Sequence, residues 1–195
     1  DRRSVVIERK DEGITMKKGK LYGIGAGPGD SELMTVKAVR LVREADLIIT
    51  PKTEKKDGSV AWHIAAPYIP KTAEVLPMVF PMVTDPAVLK AQWKENAALI
   101  AEKLDEGKNI VFLTLGDPML YSTYMYIFHA FEGSGYDIET VPGIPAFLAI
   151  ASYLNMPVAE WEETAAILPA TADPDTIDRM LSAADHAVIM KVYKN

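Results

Sequence analysis

The chain's 195 residues, 49% of them hydrophobic and 25% charged with a net charge of −6, allow one medium domain or two small ones and exclude disorder as the main state. It has no cysteine, so disulfides, thiolate metal sites and a cysteine nucleophile are out and the cytoplasm is the expected compartment; no apolar run is long enough for a membrane span or a signal-peptide core. Seven basic against four acidic side chains in the first 20 residues leave −9 on the remainder, an acidic body without the positive footprint that nucleic-acid phosphates demand.

Met16, followed by Lys17 and Lys18, reads as a translation start, so residues 1–17 are set apart as a leader or disordered extension. From Lys20 onward, short apolar runs alternate with helical periodicity. Leu21 to Gly25 predicts a strand, Thr35 to Ala45 a helix with Val36, Val39 and Val42 at three-residue steps, and Leu47 to Thr50 a second, β-branched strand. A helix over Ser59 to Tyr68 and a strand over Glu74 to Val79 follow. The next helix, Pro86 to Glu106, puts Leu89, Trp93, Ala97, Ile100 and Leu104 on one face and ends at Gly107, a C-cap. Asn109 to Leu115 is almost continuously apolar, as in a strand buried on both faces of a parallel sheet.

Met119 to Phe131 predicts another helix, and Gly133 to Gly135 a hinge that divides an N-terminal α/β domain, 18–132, from a second at 136–195. The second domain reads as strand Asp137 to Val141, helix Pro145 to Leu154, strand Thr164 to Leu168, helix Pro174 to Ala183 and strand Ala187 to Val192. Such alternation argues for an α/β fold. Trp93 and Trp161 are expected core anchors.

Three strand-to-helix loops carry the chemistry. Gly23 to Asp30 lies where α/β proteins bind ligands, but its glycine spacing is not the dinucleotide fingerprint, and no Gly-Lys-Ser/Thr phosphate loop is present. Judged alone it is also compatible with a tight turn. Leu113 to Tyr124 brings Gly116, Asp117 and Pro118 out of a buried strand, then hydroxyls at Ser122 and Thr123. Exposed backbone amides beside one carboxylate suit a zwitterionic, cationic-sulfonium ligand better than a phosphate. The competing reading is a plain turn with Asp117 capping the helix and Pro118 at its first position. Val141 to Phe147 repeats the design.

Gly25-Ala-Gly-Pro-Gly-Asp30, Gly116-Asp117-Pro118 and Val141-Pro-Gly-Ile144, in that order, resemble the signature of the tetrapyrrole (corrin/porphyrin) methylases over about residues 18–195. Phe80-Pro-Met82, Trp93 to Asn96, Phe112 to Tyr124 and Met190 to Asn195 resemble the branch of that family acting at C20 of precorrin-2 or cobalt-factor II. The resemblance implies the two-domain α/β fold of class III methyltransferases, with parallel or mixed sheets flanked by helices. Against that fold the C-terminal domain reads as truncated. It also implies a homodimer, S-adenosyl-L-methionine as methyl donor with S-adenosyl-L-homocysteine as product, and a tetrapyrrole substrate with multiple carboxylates, within cobalamin biosynthesis.

Carried over by position, Pro28, Leu115, Gly116, Asp117 and Leu120 line the cofactor site with help from Ser122 and Thr123, followed by Ile144, Pro145, Ala146 and Met190. Pro145 departs from the small or hydroxyl residue of relatives. The implied chemistry is attack by an electron-rich meso carbon on the sulfonium methyl and loss of a proton from that carbon. Asp117 is the first candidate base by location, Tyr121 and Tyr124 the next, with solvent or the macrocycle as alternatives. No metal is required. A carboxylate-rich substrate on an acidic body calls for a local basic patch, expected at Lys52, Lys55 and Lys56, with Lys191 as a further contributor and Tyr124 against the macrocycle. His63, His129 and His186 are read as structural or surface residues. Two rivals stay open: a family methylase acting on another corrin carbon or a diphthine-type protein target, and a truncated, non-catalytic binding module.

Overall fold

The computed structural model describes residues 18–52, 59–81 and 85–192. Strands and helices alternate through its first part: β1 (Lys20–Gly25), α1 (Val36–Arg43), β2 (Leu47–Lys52), α2 (Val60–Ala65), β3 (Glu74–Val79), α3 (Pro86–Asp105), β4 (Ile110–Thr114), α4 (Tyr124–Phe131) and β5 (Asp137–Val141). The strands form one parallel sheet in the order β3-β2-β4-β1-β5. Parallel neighbours need a crossover, which the intervening helices supply.

Side-chain alternation sorts the strand residues into two cores. Leu21, Leu47, Ile49, Ile110 and Phe112 face α3 and α4, whereas Ile24, Ile48, Val111 and Leu113 face α1 and α2. All five positions of β4 are buried, and its Ile, Val, Phe and Leu side chains each contribute roughly 1.5–3 kcal/mol by leaving water. Helices α1 and α3 begin on side-chain caps: Thr35 Oγ1 accepts from Ala38 N at 3.2 Å, and Asp85 Oδ1 accepts from Ala87 N at 2.8 Å. Gly107, at φ +84°, ends α3 as its position predicts.

Three features differ from the sequence reading. The helix expected to run to Tyr68 stops at Ala65 and continues as a 3₁₀ turn over Ala66–Tyr68, because Pro67 has no N–H to donate to the preceding turn. The helix expected from Met119 begins only at Tyr124. Tyr121 has φ +49°, a left-handed conformation that no α-helix accommodates, and Ser122 Oγ accepts from Tyr124 N at 3.0 Å to start the helix there. Lastly, β5 hydrogen-bonds along β1 from Lys20↔Asp137 to Ile24↔Val141, so it completes the first sheet instead of opening a second domain after Gly133–Gly135.

The chain accordingly divides into compact units Asp1–Pro145 and Ala146–Asn195. The second unit contains α5 (Ala146–Leu154), β6 (Ala165–Pro169), α6 (Pro174–Ala183) and β7 (His186–Met190), with β6 and β7 parallel. The Asp185 carboxylate accepts from both Thr164 N and Thr164 Oγ1 at 2.8 Å, tying the start of β7 to that of β6. Trp93 is buried and stacks on Tyr126 with ring centroids 3.9 Å apart, but Trp161 is fully exposed and anchors no core.

Candidate functional site

The sheet topology sets where a ligand can approach. β1 and β4 are neighbours, yet the helices that follow them leave for opposite faces, α1 toward one core and α4 toward the other. The loops after the two strands therefore part at their carboxyl ends and leave a crevice, the usual ligand position in open α/β sheets. Sequence reasoning located the loops. The crossing order that opens them became visible only in the sheet.

In that crevice the first and second loops hold each other by backbone. Gly116 N donates to Gly27 O at 2.8 Å, Gly27 N donates to Gly116 O at 3.3 Å, and Ala26 N donates to Thr114 O at 2.8 Å. Gly27 and Gly116 both have positive φ, +81° and +69°. The third loop closes against them: a Cβ on Gly25 would stand 2.6 Å from Gly116 O and from Gly143 N, and a Cβ on Gly143 would collide with Gly116 O. Gly25 and Gly143 are glycines for want of room, which the spacing of the sequence did not distinguish from conformational need.

Asp117 joins the loops electrostatically. Its Oδ1 accepts from Met119 N at 2.8 Å and its Oδ2 accepts from Gly143 N at 3.0 Å. The first bond makes a local turn, and the second reaches 26 residues along the chain. It does not cap α4, which starts seven residues later. With each oxygen accepting a backbone N–H, Asp117 positions backbone on both sides of the junction. Below the loop, Ser122 Oγ lies 2.7 Å from Thr114 Oγ1 while it accepts from Tyr124 N, so its hydroxyl serves the loop's own architecture.

The remaining predicted residues separate clearly. Pro28, Leu120, Ile144 and Pro145 are half-buried around the junction, while Leu115, Met119 and Tyr121 stand exposed at its rim. Tyr124 is withdrawn from any substrate role: it is fully buried, its ring fills the space above Gly23, and its hydroxyl pairs with Thr140 Oγ1 at 3.0 Å. Burial pushes its phenol above the ordinary value, against the Thr140 hydrogen bond, which also weighs against a catalytic base there. Lys52 ends β2, half-buried, and makes no ion pair among the described residues. Lys55 and Lys56 lie outside the described residues. Ala146 and Met190 belong to the second unit.

The loops 26–30, 115–123 and 142–145 contain no lysine or arginine, but they do contain the carboxylates Asp30 and Asp117. Such a lining repels phosphates and favours a ligand with a positive centre, while the exposed Leu115, Met119 and Tyr121 offer apolar area to a flat group. A sulfonium-bearing nucleoside fits this donor set.

Comparison with known proteins agrees with that chemistry. The family model for Tetrapyrrole (Corrin/Porphyrin) Methylases matches residues 20–195. A cobalt-precorrin-2 C(20)-methyltransferase of Salmonella typhimurium is 37% identical over 175 residues, 90% of this chain and 73% of its own length. A precorrin-2 C(20)-methyltransferase of a Sinorhizobium species is 31% identical over 185 residues, covering 91% and 75% respectively. Among solved structures, a cobalt precorrin-4 methyltransferase superposes with a TM-score of 0.61 at 29% identity, over 78% of this chain and 58% of that one.

Proposed function

The chain belongs to the tetrapyrrole (corrin/porphyrin) methylase family, and from that premise we propose that it transfers a methyl group from S-adenosyl-L-methionine to C20 of precorrin-2 or of its cobalt complex. The observation that carries this reading is the junction of Gly25, Gly116 and Gly143, held by Asp117, in a chain 37% identical to a C20-methyltransferase across 90% of its length.

In this reading the second loop holds the donor. Leu115 and Leu120 pack on its apolar parts, backbone groups of Gly116 meet its polar ones, and Asp117 supplies the negative field that a sulfonium prefers, as well as keeping the third loop in register. Pro28, Ile144 and Pro145 line the neighbouring walls. When bound, the donor supplies an activated methyl and a neutral thioether leaving group. Held there, it would supply the methyl for C20, with the sulfur–methyl electron pair leaving on sulfur and the C20 proton passing to solvent. Alignment and a fitting field carry most of such a reaction. Asp117 acts in positioning, and Tyr121, exposed at the rim, is the side chain offered to the macrocycle. Lys52, with Lys55 and Lys56 following it in sequence, supplies positive charge for the substrate's carboxylates.

Incubation of the chain with cobalt-factor II and donor carrying a carbon-13 methyl tests the proposal. The expected product contains one added methyl, assigned by NMR to C20. A label on another carbon, or no transfer under conditions where S-adenosyl-L-homocysteine binds, would overturn it.

A further inference from the structure

Two stretches of the sequence, around Phe80 and from Trp93 to Asn96, meet at the carboxyl end of β3. Asn96 of α3 is more than nine-tenths buried, and its Nδ2 donates to the carbonyl of Val79, the last residue of β3, at 2.9 Å. A carbonyl can only accept, which fixes the orientation of the amide; its Oδ1 then accepts from Gln92 Nε2 at 3.2 Å. Trp93, one turn earlier, stacks on Tyr126 and fixes α3 against α4. The buried amide is satisfied on both sides, the condition under which such a group adds order without penalty.

The strand pattern explains why this carbonyl needs a partner. Glu74 N and Phe80 N donate to Asp46 O and Lys52 O, both at 3.0 Å, so the even-numbered residues of β3 turn their peptide groups toward β2. The odd-numbered ones face away, and β3 is the edge of the sheet. On that side Pro77 has no N–H to offer, and Asn96 takes the carbonyl of Val79.

The consequence reaches Lys52. Backbone pairing of β2 with β4 ends at Ile49↔Phe112, whereas its pairing with β3 runs on to Lys52↔Val79. Among the described residues, the last three of β2 therefore have a strand partner on the β3 side alone. At that level β3 is held by Asn96 and by Phe80, whose ring packs edge to face on Phe112 with centroids 5.7 Å apart. Val75 and Pro77 of β3 also form one side of a groove of about 240 Å³ that Lys52 lines together with Trp62 and His63 of α2. Slackening of β3 displaces the Lys52 backbone and reshapes that groove.

We infer that Asn96 is a positioning residue for the substrate: by holding the carboxyl end of β3, it sets where Lys52 meets a carboxylate of the tetrapyrrole. This rests on the methyltransferase reading and on the role given there to Lys52. Asn96 touches no reacting atom. It does for the end of β3 what Asp117 does for the third loop.

Asn96→Leu, which keeps the volume and removes both hydrogen bonds, is made alone and together with Lys52→Met. Lys52→Met is expected to raise the KM for cobalt-factor II about fivefold, the effect of one surface-strength ion pair. Asn96→Leu is expected to raise it about threefold, with S-adenosyl-L-homocysteine affinity at the wild-type value. The double variant should match Lys52→Met alone, because the amide acts through the lysine. Ile100→Val, one turn further along the buried face of α3, should lower the urea midpoint and leave KM unchanged. If Asn96→Leu does not fold, Gln92→Met at its half-buried position takes its place in the same cycle, with an expected rise of about twofold. Effects that multiply in the double variant, to about fifteenfold, would overturn the inference while leaving the methyltransferase reading intact. So would an unchanged KM in either single variant, a parallel loss of cofactor-product affinity, or an equal rise from Ile100→Val. If wild type itself gives no absorbance change on titration with the tetrapyrrole in the presence of S-adenosyl-L-homocysteine, the functional reading fails and the role of Asn96 with it.

Discussion

At Gly143 an added methyl group would strike the carbonyl of Gly116, and neither backbone can yield without opening the junction. Gly116 is a glycine for a different reason: its φ is +69°, but the nearest atom to a Cβ there is Pro145 Cα at 3.8 Å, ordinary contact. The two alanine substitutions should therefore diverge. Gly116→Ala meets only the left-handed backbone penalty, about 1–2 kcal/mol, whereas Gly143→Ala is overpacked and should destabilise by about 2–3 kcal/mol and also weaken S-adenosyl-L-homocysteine binding about tenfold or more. Urea unfolding and calorimetric titration of both variants check this; equal effects would mean that steric closure of the loops is unimportant. The sequence exposed all these glycines and the Asp117 carboxylate. It could not reveal which glycine was limited by space, because the limiting atoms come from loops separated by more than 25 positions, nor that the second Asp117 oxygen was bound to Gly143.

Among the elements, strands were the most legible from sequence, since a run such as Ile110 to Thr114 is apolar at nearly every position and allows few alternatives. Helix starts were less legible: Met119 to Phe131 has helical composition throughout, but Tyr121 stands in a left-handed turn that composition does not announce. The same holds for β5, whose placement beside β1 depends on partners far along the chain. Glu139 at the middle of β5 accepts from Lys20 at 2.8 Å and pairs with Lys37, linking the edge strand to β1 and α1. The hydrogen bond from Lys20, then that from Lys37, holds the Glu139 carboxyl down to about 2 from an ordinary 4.5, and the bond to Glu139 raises Lys20 above 10.5. A carboxyl lowered by folding stabilises fully above its unfolded value and loses that contribution as pH falls through the folded one. The Glu139 contribution should thus be complete at neutrality and disappear between about pH 4.5 and 2; the Lys20 side is present below 10.5 and lost as pH rises beyond it. Both groups are partly in solvent, which limits the effect to about 1 kcal/mol. Urea midpoints of wild type and Glu139→Gln should differ at pH 7 and converge toward pH 2, and a constant difference would remove this cluster from the account of edge-strand docking.

Over the whole molecule, stability is unevenly distributed. The first unit holds two buried clusters, one on each face of a five-stranded sheet, whereas among the described residues of the second unit Leu168 alone is a buried hydrophobic. Leu148, Ile150, Leu154, Met180 and Ile189 of that unit are all exposed. Composition and alternation announced an α/β chain with two parts, but the part with the core is longer than Gly133–Gly135 suggested, because β5 stays with the first sheet. Local opening costs little where few apolar groups are buried and much where both faces of a strand are covered. Amides of β1, β2 and β4 should accordingly exchange with deuterium only through global unfolding, and those of β6 and β7 should exchange about tenfold or more faster. Peptide-resolved exchange under native conditions measures both. If the second unit were protected to the same degree, the two units would unfold together, and the loops after β1, β4 and β5 would owe their rigidity to the whole chain and not to the first sheet.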